Sequence, residues 1–224
     1  MKNIFFILFT ICFTAQAKEH RKMIVVIDTG LIYTYKHMDY MCETPALSLI
    51  KGVSPYLAEF SHPSDGHGTN VVGLIGERID KNKYCILMLR AFKDGAPIGY
   101  ESSLKLTSML KGHVVGLNLS LSGKEPNAIE TEHLKVIIAN KVKVFVAAGN
   151  EKTELKKDKC PSYPACLQPE LGQNIIVVKN IKKSETNFGD YIHMVERNGQ
   201  AVGFPKNTGT SQSTAIYTGE YFSK

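Results

Sequence analysis

The serine in Gly209-Thr210-Ser211 has the best setting for nucleophilic chemistry in this sequence. Two small residues before it allow a tight turn, and the run through Ile216 and Tyr217 predicts a helix that begins at Ser211. The unpaired N–H groups and the dipole of a helix N-terminus favour negative charge. A serine there suits acyl transfer, whose intermediate carries an oxyanion. The same residue is also a good helix N-cap, and the motif taken alone favours the cap.

An aspartate, a histidine and an asparagine stand where they could assist Ser211. Asp28 follows the apolar run Met23–Ile27, His67 opens a helical pattern, and Asn150 comes after the apolar run 142–148. In a parallel sheet, strand ends and the loops after them meet at one edge. We therefore expect the four residues at the same rim of such a sheet.

Each of these three residues also has a structural interpretation. Asp28 could form a strand-end turn, His67 could cap a helix or lie in the core, and Asn150 could occupy a turn with positive φ. Asp28-Thr29-Gly30 also fits an aspartic protease, but that chemistry needs two such carboxylates. The sequence has no second Asp-Thr-Gly or Asp-Ser-Gly.

Continuous apolar, β-branched runs alternate with helical patterns along most of the chain. The alternation predicts a compact α/β fold: a doubly wound, mostly parallel sheet with helices on both faces. The predicted strands are Met23–Ile27, Cys85–Leu89, Val114–Leu119, Val142–Ala148 and Ile175–Val178. The predicted helices are His67–Arg78, Glu101–Leu110, Ala128–Asn140 and the segment after Ser211.

Four motifs in a fixed order resemble the subtilisin-like serine proteases, or subtilases. They are Val26-Ile27-Asp28-Thr29-Gly30, Asp65-Gly66-His67-Gly68-Thr69, Ala147-Ala148-Gly149-Asn150 and Gly209-Thr210-Ser211. The order Asp, His, Ser is that of subtilisin. Asn187-Phe188-Gly189 is similar to an Asn-Tyr-Gly stretch of the family, and the matches span Val25 to Ala215.

The resemblance implies a role for each of four side chains. Ser211 would attack the scissile carbonyl, and His67 would take its proton and pass it to the leaving amine. Asp28 would hold the imidazole tautomer and stabilise the imidazolium. Asn150 would donate its amide to the oxyanion, together with the backbone N–H of Ser211.

The resemblance also implies a set of substrate-binding residues. One segment would pair with an extended substrate backbone as an added strand, and three small residues would leave room for a substrate side chain. The strand segment is Leu119, Ser120, Leu121, Ser122 and Gly123, and the small residues are Ala147, Ala148 and Gly149. Glu151 resembles a pocket-floor acid that would favour polar or basic side chains, although a solvent-facing glutamate is an equal alternative.

The sequence departs from the family in places. Gln212-Ser213-Thr214-Ala215 stands where the family commonly has Met-Ala-Thr-Pro, and Ser122 replaces a glycine. Only Lys18–Ile27 would lie between signal cleavage and Asp28, which leaves no room for an inhibitory prodomain. These departures keep open a second function: a catalytically inactive member of the fold that binds peptides or partner proteins.

Residues 1–17 have the pattern of a secretory signal peptide. Lys2 supplies a positive charge, Ile4–Phe13 is apolar, and Ala15-Gln16-Ala17 is a small-x-small cleavage site. We expect cleavage after Ala17 and an exported catalytic domain over residues 18–224, in the periplasm or outside the cell.

Four cysteines remain after cleavage of the signal peptide. An even number in an exported protein favours disulfides over zinc, because no pair has two-residue spacing. Three connectivities are possible, and we favour Cys160 with Cys166 and Cys42 with Cys85.

Charge and composition restrict the partners. The formal net charge of +6 falls to +5 when Lys2 is removed, and the lysines are interleaved with acidic or apolar residues. We therefore expect a protein or peptide substrate, no nucleic acid, and no membrane association after cleavage. Catalysis of this kind needs no cofactor; structural calcium is an open possibility, with Asp39, Asp65 and Asp80 as carboxylates but no defined ligand set.

Overall fold

A computed structural model describes residues 21–32, 34, 37–54, 66–182, 186–199 and 208–224. The strands are β1 Lys22–Asp28, β2 Met41–Ser48, β3 Tyr84–Arg90, β4 Val114–Leu119, β5 Lys143–Ala147, β6 Ile175–Asn180 and β7 Met194–Arg197. The helices are α1 His67–Gly76, α2 Tyr100–Met109, α3 Ala128–Ala139, α4 Gln168–Leu171 and α5 Thr210–Tyr221, with a 3₁₀ turn at Ala165–Leu167.

The seven described strands form one sheet in which every neighbouring pair is parallel. Their order is β2-β3-β1-β4-β5-β6-β7. From β1 the chain crosses to the edge strand β2 and returns to β3 beside β1; it then crosses to β4 on the other side of β1 and continues through β5 and β6 to β7 at the opposite edge. The crevice beside β1 at the carboxyl edge is thus the topological switch point, where such folds bind ligands.

Helices cover both faces of the sheet because its strands are apolar on both sides. On one face, α1 and α5 pack on β1, β3 and β5 through Val71, Ile75, Ala215 and Ile216. On the opposite face, α2 and α3 pack through residues such as Leu104 and Leu134. The predicted doubly wound α/β fold is confirmed.

The predicted strands and helices are all present, and β4 has the predicted bounds. Two edge strands, β2 and β7, and the short α4 were not predicted. Pro45 interrupts β2, whose register on β3 shifts between Met41 and Ala46. Because β7 has four residues and mixed polarity, it lacks the apolar run that marks an interior strand.

Both favoured disulfides form. Cys42–Cys85 ties the edge strand β2 to β3, and Cys160–Cys166 closes a short loop. The predicted signal peptide, residues 1–17, and Asp65 lie outside the described residues. Within the described ranges, no helix has the length and apolarity needed to cross a membrane.

Candidate active site

The carboxylate of Asp28 and the imidazole of His67 meet at the carboxyl end of β1. His67 Nδ1 lies 2.8 Å from Asp28 Oδ1 and 3.0 Å from Oδ2. Asp28 is buried, whereas the His67 side chain is 37% exposed. The ring therefore turns one nitrogen to the carboxylate and leaves the other for a second partner.

Local backbone contacts hold this pair in place. The Thr29 N–H donates to Asp28 Oδ1 at 2.7 Å, and the Gly68 N–H donates to Thr29 Oγ1 at 3.0 Å. A Cβ on Gly68 would lie 2.5 Å from the carbonyl oxygen of Gly30. Glycine is therefore needed here so that the first turn of α1 can approach β1 closely.

The electrostatics favour a protonated imidazole. The charge of Asp28 raises the pKa of His67 above its ordinary value, partial burial opposes this shift, and the hydrogen bond to Asp28 adds to it. Stabilisation of the imidazolium is what a general base needs after it accepts a proton.

Ser211 lies in the first turn of α5, one residue after the helix begins. Its Oγ donates to the carbonyl oxygen of Ser120 at 2.9 Å, and Ser120 Oγ donates to the carbonyl oxygen of Ser211 at 2.9 Å. No hydrogen bond joins Ser211 to His67 in the described part of the chain. The N-cap of α5 is Gly209, without a side-chain cap, so Ser211 does not cap the helix.

Hydrogen bonds to its side-chain oxygen hold Asn150 in place and leave its amide nitrogen available as a donor. Asn150 Oδ1 accepts hydrogen bonds from the backbone N–H and the Oγ1 hydroxyl of Thr210, each at 3.0 Å. The side-chain NH₂ is thereby turned away from Thr210. No role for Thr210 was predicted, and the only signal for it in the sequence is its position directly before Ser211.

The three small residues before Asn150 are buried. Ala147 and Ala148 belong to the core, and the carbonyl of Ala148 accepts from Ser162 Oγ at 2.8 Å and from Asn187 Nδ2 at 2.9 Å. A Cβ on Gly149 would meet Asn187 Nδ2, Glu151 Oε2 and Ser162 Oγ. Polar side chains thus surround the position that a Cβ on Gly149 would take, and a role of the three small residues in binding a substrate side chain stays a prediction.

Glu151 accepts a hydrogen bond from Asn187 Nδ2 at 2.7 Å. Asn187 also accepts from the Thr153 N–H at 2.9 Å, so its amide links the loop after β5 to the loop after β6. No sequence signal pointed to Ser162 as a neighbour of this loop.

The segment proposed to bind substrate is partly occupied by the protein itself. Leu119 is buried, and the carbonyl of Ser120 accepts the hydroxyl of Ser211. Gly123 exchanges two 2.8 Å backbone hydrogen bonds with Tyr163. Leu121 and Ser122 lie between these contacts and are at least partly exposed.

Two of the three candidate calcium carboxylates are paired with lysine. Asp39 contacts Lys81 at 2.9 Å, and Asp80 contacts Lys83 at 3.1 Å. The hydrogen bond from Lys81 lowers the pKa of Asp39 below its usual range. Within the described ranges, no three Asp, Glu, His or Cys side chains form a group that could hold a metal ion.

Comparison with known proteins identifies the fold. No family model matches the sequence, and no curated protein matches it. A cold-adapted subtilisin-like serine proteinase superposes with a TM-score of 0.64 and 22% identity, over 88% of this chain and 72% of that chain. The A-subunit of the AB5 toxin from E. coli gives 0.68 and 21%, over 90% and 77%. The prenylagaramide maturation protease PagA gives 0.61 and 17%, over 91% and 75%. The chain has the fold of subtilisin-like serine proteases.

Proposed function

We propose that the protein is an exported serine endopeptidase that hydrolyses peptide bonds with Asp28, His67, Ser211 and Asn150. The observation that carries the proposal is the two-oxygen contact of Asp28 with His67 Nδ1 at the switch point of a subtilase-type sheet. A buried carboxylate on one imidazole nitrogen fixes the tautomer in which the other nitrogen is basic.

Ser211 is the nucleophile in this proposal. Its hydroxyl leaves the carbonyl oxygen of Ser120 by rotation about χ1 and donates to His67 Nε2. Hydrogen bonds of this kind are often long or misaligned before substrate binds. As Ser211 Oγ attacks the substrate carbonyl, its proton passes to Nε2, and the imidazolium then protonates the leaving amine. Water then attacks the acyl-enzyme: His67 takes a proton from the water and passes it to Ser211 Oγ as the acyl group leaves.

The oxyanion that forms during attack is stabilised by two donors. The N–H of Ser211 lies in the first turn of α5, where backbone N–H groups have no intrahelical acceptor. The second donor is the NH₂ of Asn150, which Thr210 holds by its oxygen. Because both donors are fixed before reaction, no reorganisation is needed as charge develops.

The substrate is a protein or peptide bound in an extended conformation. Gly123 is already paired with Tyr163, so the exposed backbone of Leu121 and Ser122 is the part of this segment that can pair with a substrate strand. Export rests on the signal-peptide pattern of residues 1–17, and the two disulfides are consistent with an oxidising compartment.

A catalytically inactive binding protein is the second candidate. The observation that favours it is the hydrogen bond of Ser211 Oγ to Ser120 instead of His67. Such a protein would bind peptides at the same edge of the sheet without turnover.

A fluorophosphonate probe distinguishes the two functions. Protein produced from the full chain is labelled beside Ser211→Ala and His67→Ala, with circular dichroism as the folding control. We expect labelling at Ser211 that both variants lose. Absence of labelling in a folded wild-type protein would reject the peptidase function and favour the binding protein.

A further inference from the structure

We propose that Asn70 and Gln212 form a positioning pair that sets the separation of His67 and Ser211. This inference rests on the proposed peptidase function, because it assigns a task to two residues that touch neither substrate nor reacting atoms. The main support for it is a hydrogen bond from Gln212 Nε2 to Asn70 Oδ1 at 3.1 Å.

The two partners are placed directly beside the reactive residues. Asn70 is three residues after His67 on α1, and residues with this spacing share a helix face. Gln212 follows Ser211 in the first turn of α5. The hydrogen bond therefore connects the helix that carries the proposed base to the helix that carries the proposed nucleophile.

Both side chains are enclosed. Asn70 is 9% exposed and Gln212 is 5% exposed, so water does not readily replace either partner. If a buried amide loses its partner, no hydrogen bond offsets the free-energy cost of removing that amide from water. The pair thus resists any shift that would separate the N-terminal ends of the two helices.

The opposite ends of α1 and α5 are held by packing and, just beyond the two helices, by a hydrogen bond from the Asp80 N–H to the carbonyl oxygen of Phe222 at 2.9 Å. A Cβ on Gly219 would lie 2.8 Å from Arg78 Cβ and 2.9 Å from the carbonyl oxygen of Ile75. In the described residues, no other hydrogen bond joins α1 to α5. Close packing and this backbone hydrogen bond therefore fix one end of this helix pair, and Asn70 with Gln212 fixes the end at the site.

The geometry makes proton transfer sensitive to this contact. Asp28 on β1 holds His67, whereas Ser120 after β4 holds the first turn of α5. Small displacements of a reacting group can lower the rate by about 100-fold. A change in the helix separation would alter the reach from Ser211 Oγ to His67 Nε2 while leaving the substrate-binding segment in place.

The test uses single and paired substitutions in the full chain. Gln212→Met and Asn70→Leu each remove the hydrogen bond at similar volume. The double apolar variant removes both partners, which restores stability because neither amide remains unsatisfied. The exchange Asn70→Gln with Gln212→Asn keeps two amides and their combined length. Thr107→Val, in α2, is the control for loss of a buried hydroxyl.

Hydrolysis of fluorescently labelled casein is followed together with the thermal unfolding midpoint. We expect each single variant to lose about 10- to 100-fold in kcat with KM unchanged within about twofold. The double apolar variant should regain the unfolding midpoint but not kcat, and the exchanged pair should regain most of kcat. The acid limb of the pH profile should not move, because the Asp28–His67 contact is intact.

Several results would overturn the inference. A double apolar variant with wild-type kcat would show that packing alone positions the two helices. Single variants whose kcat is no lower than that of Thr107→Val would show the same. A folded exchanged pair that regains no kcat would also reject the hydrogen bond as the positioning contact. A folded wild-type protein that neither cleaves casein nor reacts with the fluorophosphonate would overturn the proposed function, and this inference with it.

Discussion

Polar side chains are buried between helices on both faces of the sheet, but with different consequences. On the face of α1 and α5, the buried amides of Asn70 and Gln212 adjoin the proposed reactive residues. On the face of α2 and α3, Tyr100 Oη donates to Glu130 Oε1 at 2.5 Å, and neither side chain has a described hydrogen bond to Asp28, His67, Ser211 or Asn150. The first arrangement can position the proposed reacting groups directly, whereas we expect the second to act on the stability of the fold.

The ionisable groups show the same difference. The charge of Asp28 raises the pKa of His67, which favours the form that proton transfer creates. Burial raises the pKa of Glu130, with the Tyr100 hydrogen bond opposing the shift, and burial raises the pKa of Tyr100 well above its ordinary value. A buried polar network is therefore not by itself a functional network; its contacts with the residues that carry the reaction decide.

The largest effect is expected from Asp28→Asn. The amide keeps the shape of the carboxylate but favours the wrong imidazole tautomer, and the expected loss in kcat is on the order of 10⁴-fold. Steady-state hydrolysis of labelled casein measures it, with circular dichroism to confirm folding. A loss below about tenfold would place Asp28 outside the reaction.

The pH profile of the wild-type protein provides the control for that variant. Only neutral His67 can accept a proton. The value of kcat/KM should therefore be highest at pH values above the His67 pKa and should fall as pH decreases through that pKa. Asp28 raises that pKa, so the midpoint of the acid limb should lie above the ordinary value for imidazole. Residual activity of Asp28→Asn should show a lower midpoint.

Asn150→Ala should have the next largest effect. Removal of an oxyanion donor lowers kcat by about 10²- to 10³-fold, with little change in KM. Asn150→Asp is the matched variant, because it keeps the acceptor for Thr210 but has no NH₂ to donate. Full activity of the aspartate variant would reject an amide donor at this position.

A smaller loss is expected from Thr210→Val. The valine removes the hydroxyl that donates to Asn150 Oδ1 but keeps the backbone N–H that donates to the same oxygen. Loss of one such hydrogen bond corresponds to about tenfold at most in kcat. In Asn150→Ala the same substitution should have almost no further effect on kcat, and additive losses would mean that Thr210 acts independently.

Glu130→Gln should leave kcat/KM unchanged and alter only stability. Because the folded pKa of Glu130 lies above its unfolded value, the native chain holds an extra proton between the two values. The free energy of unfolding therefore falls as pH rises through that window. The glutamine cannot ionise, so its unfolding midpoint should exceed that of wild type at neutral pH and approach it in acid.

Differential scanning calorimetry across pH measures this effect, and kcat/KM on casein is the companion measurement. Tyr100→Phe is the matched control for loss of the hydrogen bond without loss of the carboxyl. A change in kcat/KM for Glu130→Gln beyond about twofold would remove the distinction between the two faces.

The sequence alone was sufficient to predict the interior strands of the sheet. Interior parallel strands are apolar on both faces, which is why β4 and β5 were visible as continuous runs. The edge strands were missed because Pro45 and the charged residues of β7 remove that pattern. The contact between Asp28 and His67 follows from the carboxyl-edge rule and the order of the motifs.

The orientations of the side chains could not be predicted. The sequence does not specify whether Ser211 donates to Ser120 or to His67, because several χ1 rotamers are compatible with the same sequence. The anchoring of Asn150 by Thr210 and the polar cover over Gly149 likewise require that loops distant in sequence be in contact. Local patterns contain no information about such contacts.

The docking of α5 has a consequence for the timing of activity during biogenesis. Thr218 on α5 donates to Asn118 on β4 across 100 residues, and Gln212 reaches Asn70 across 142. Contacts of high sequence separation form late, since the chain must first close long loops. If the proposed peptidase function holds, a partly folded copy would therefore lack the assembled site and could not cleave other chains.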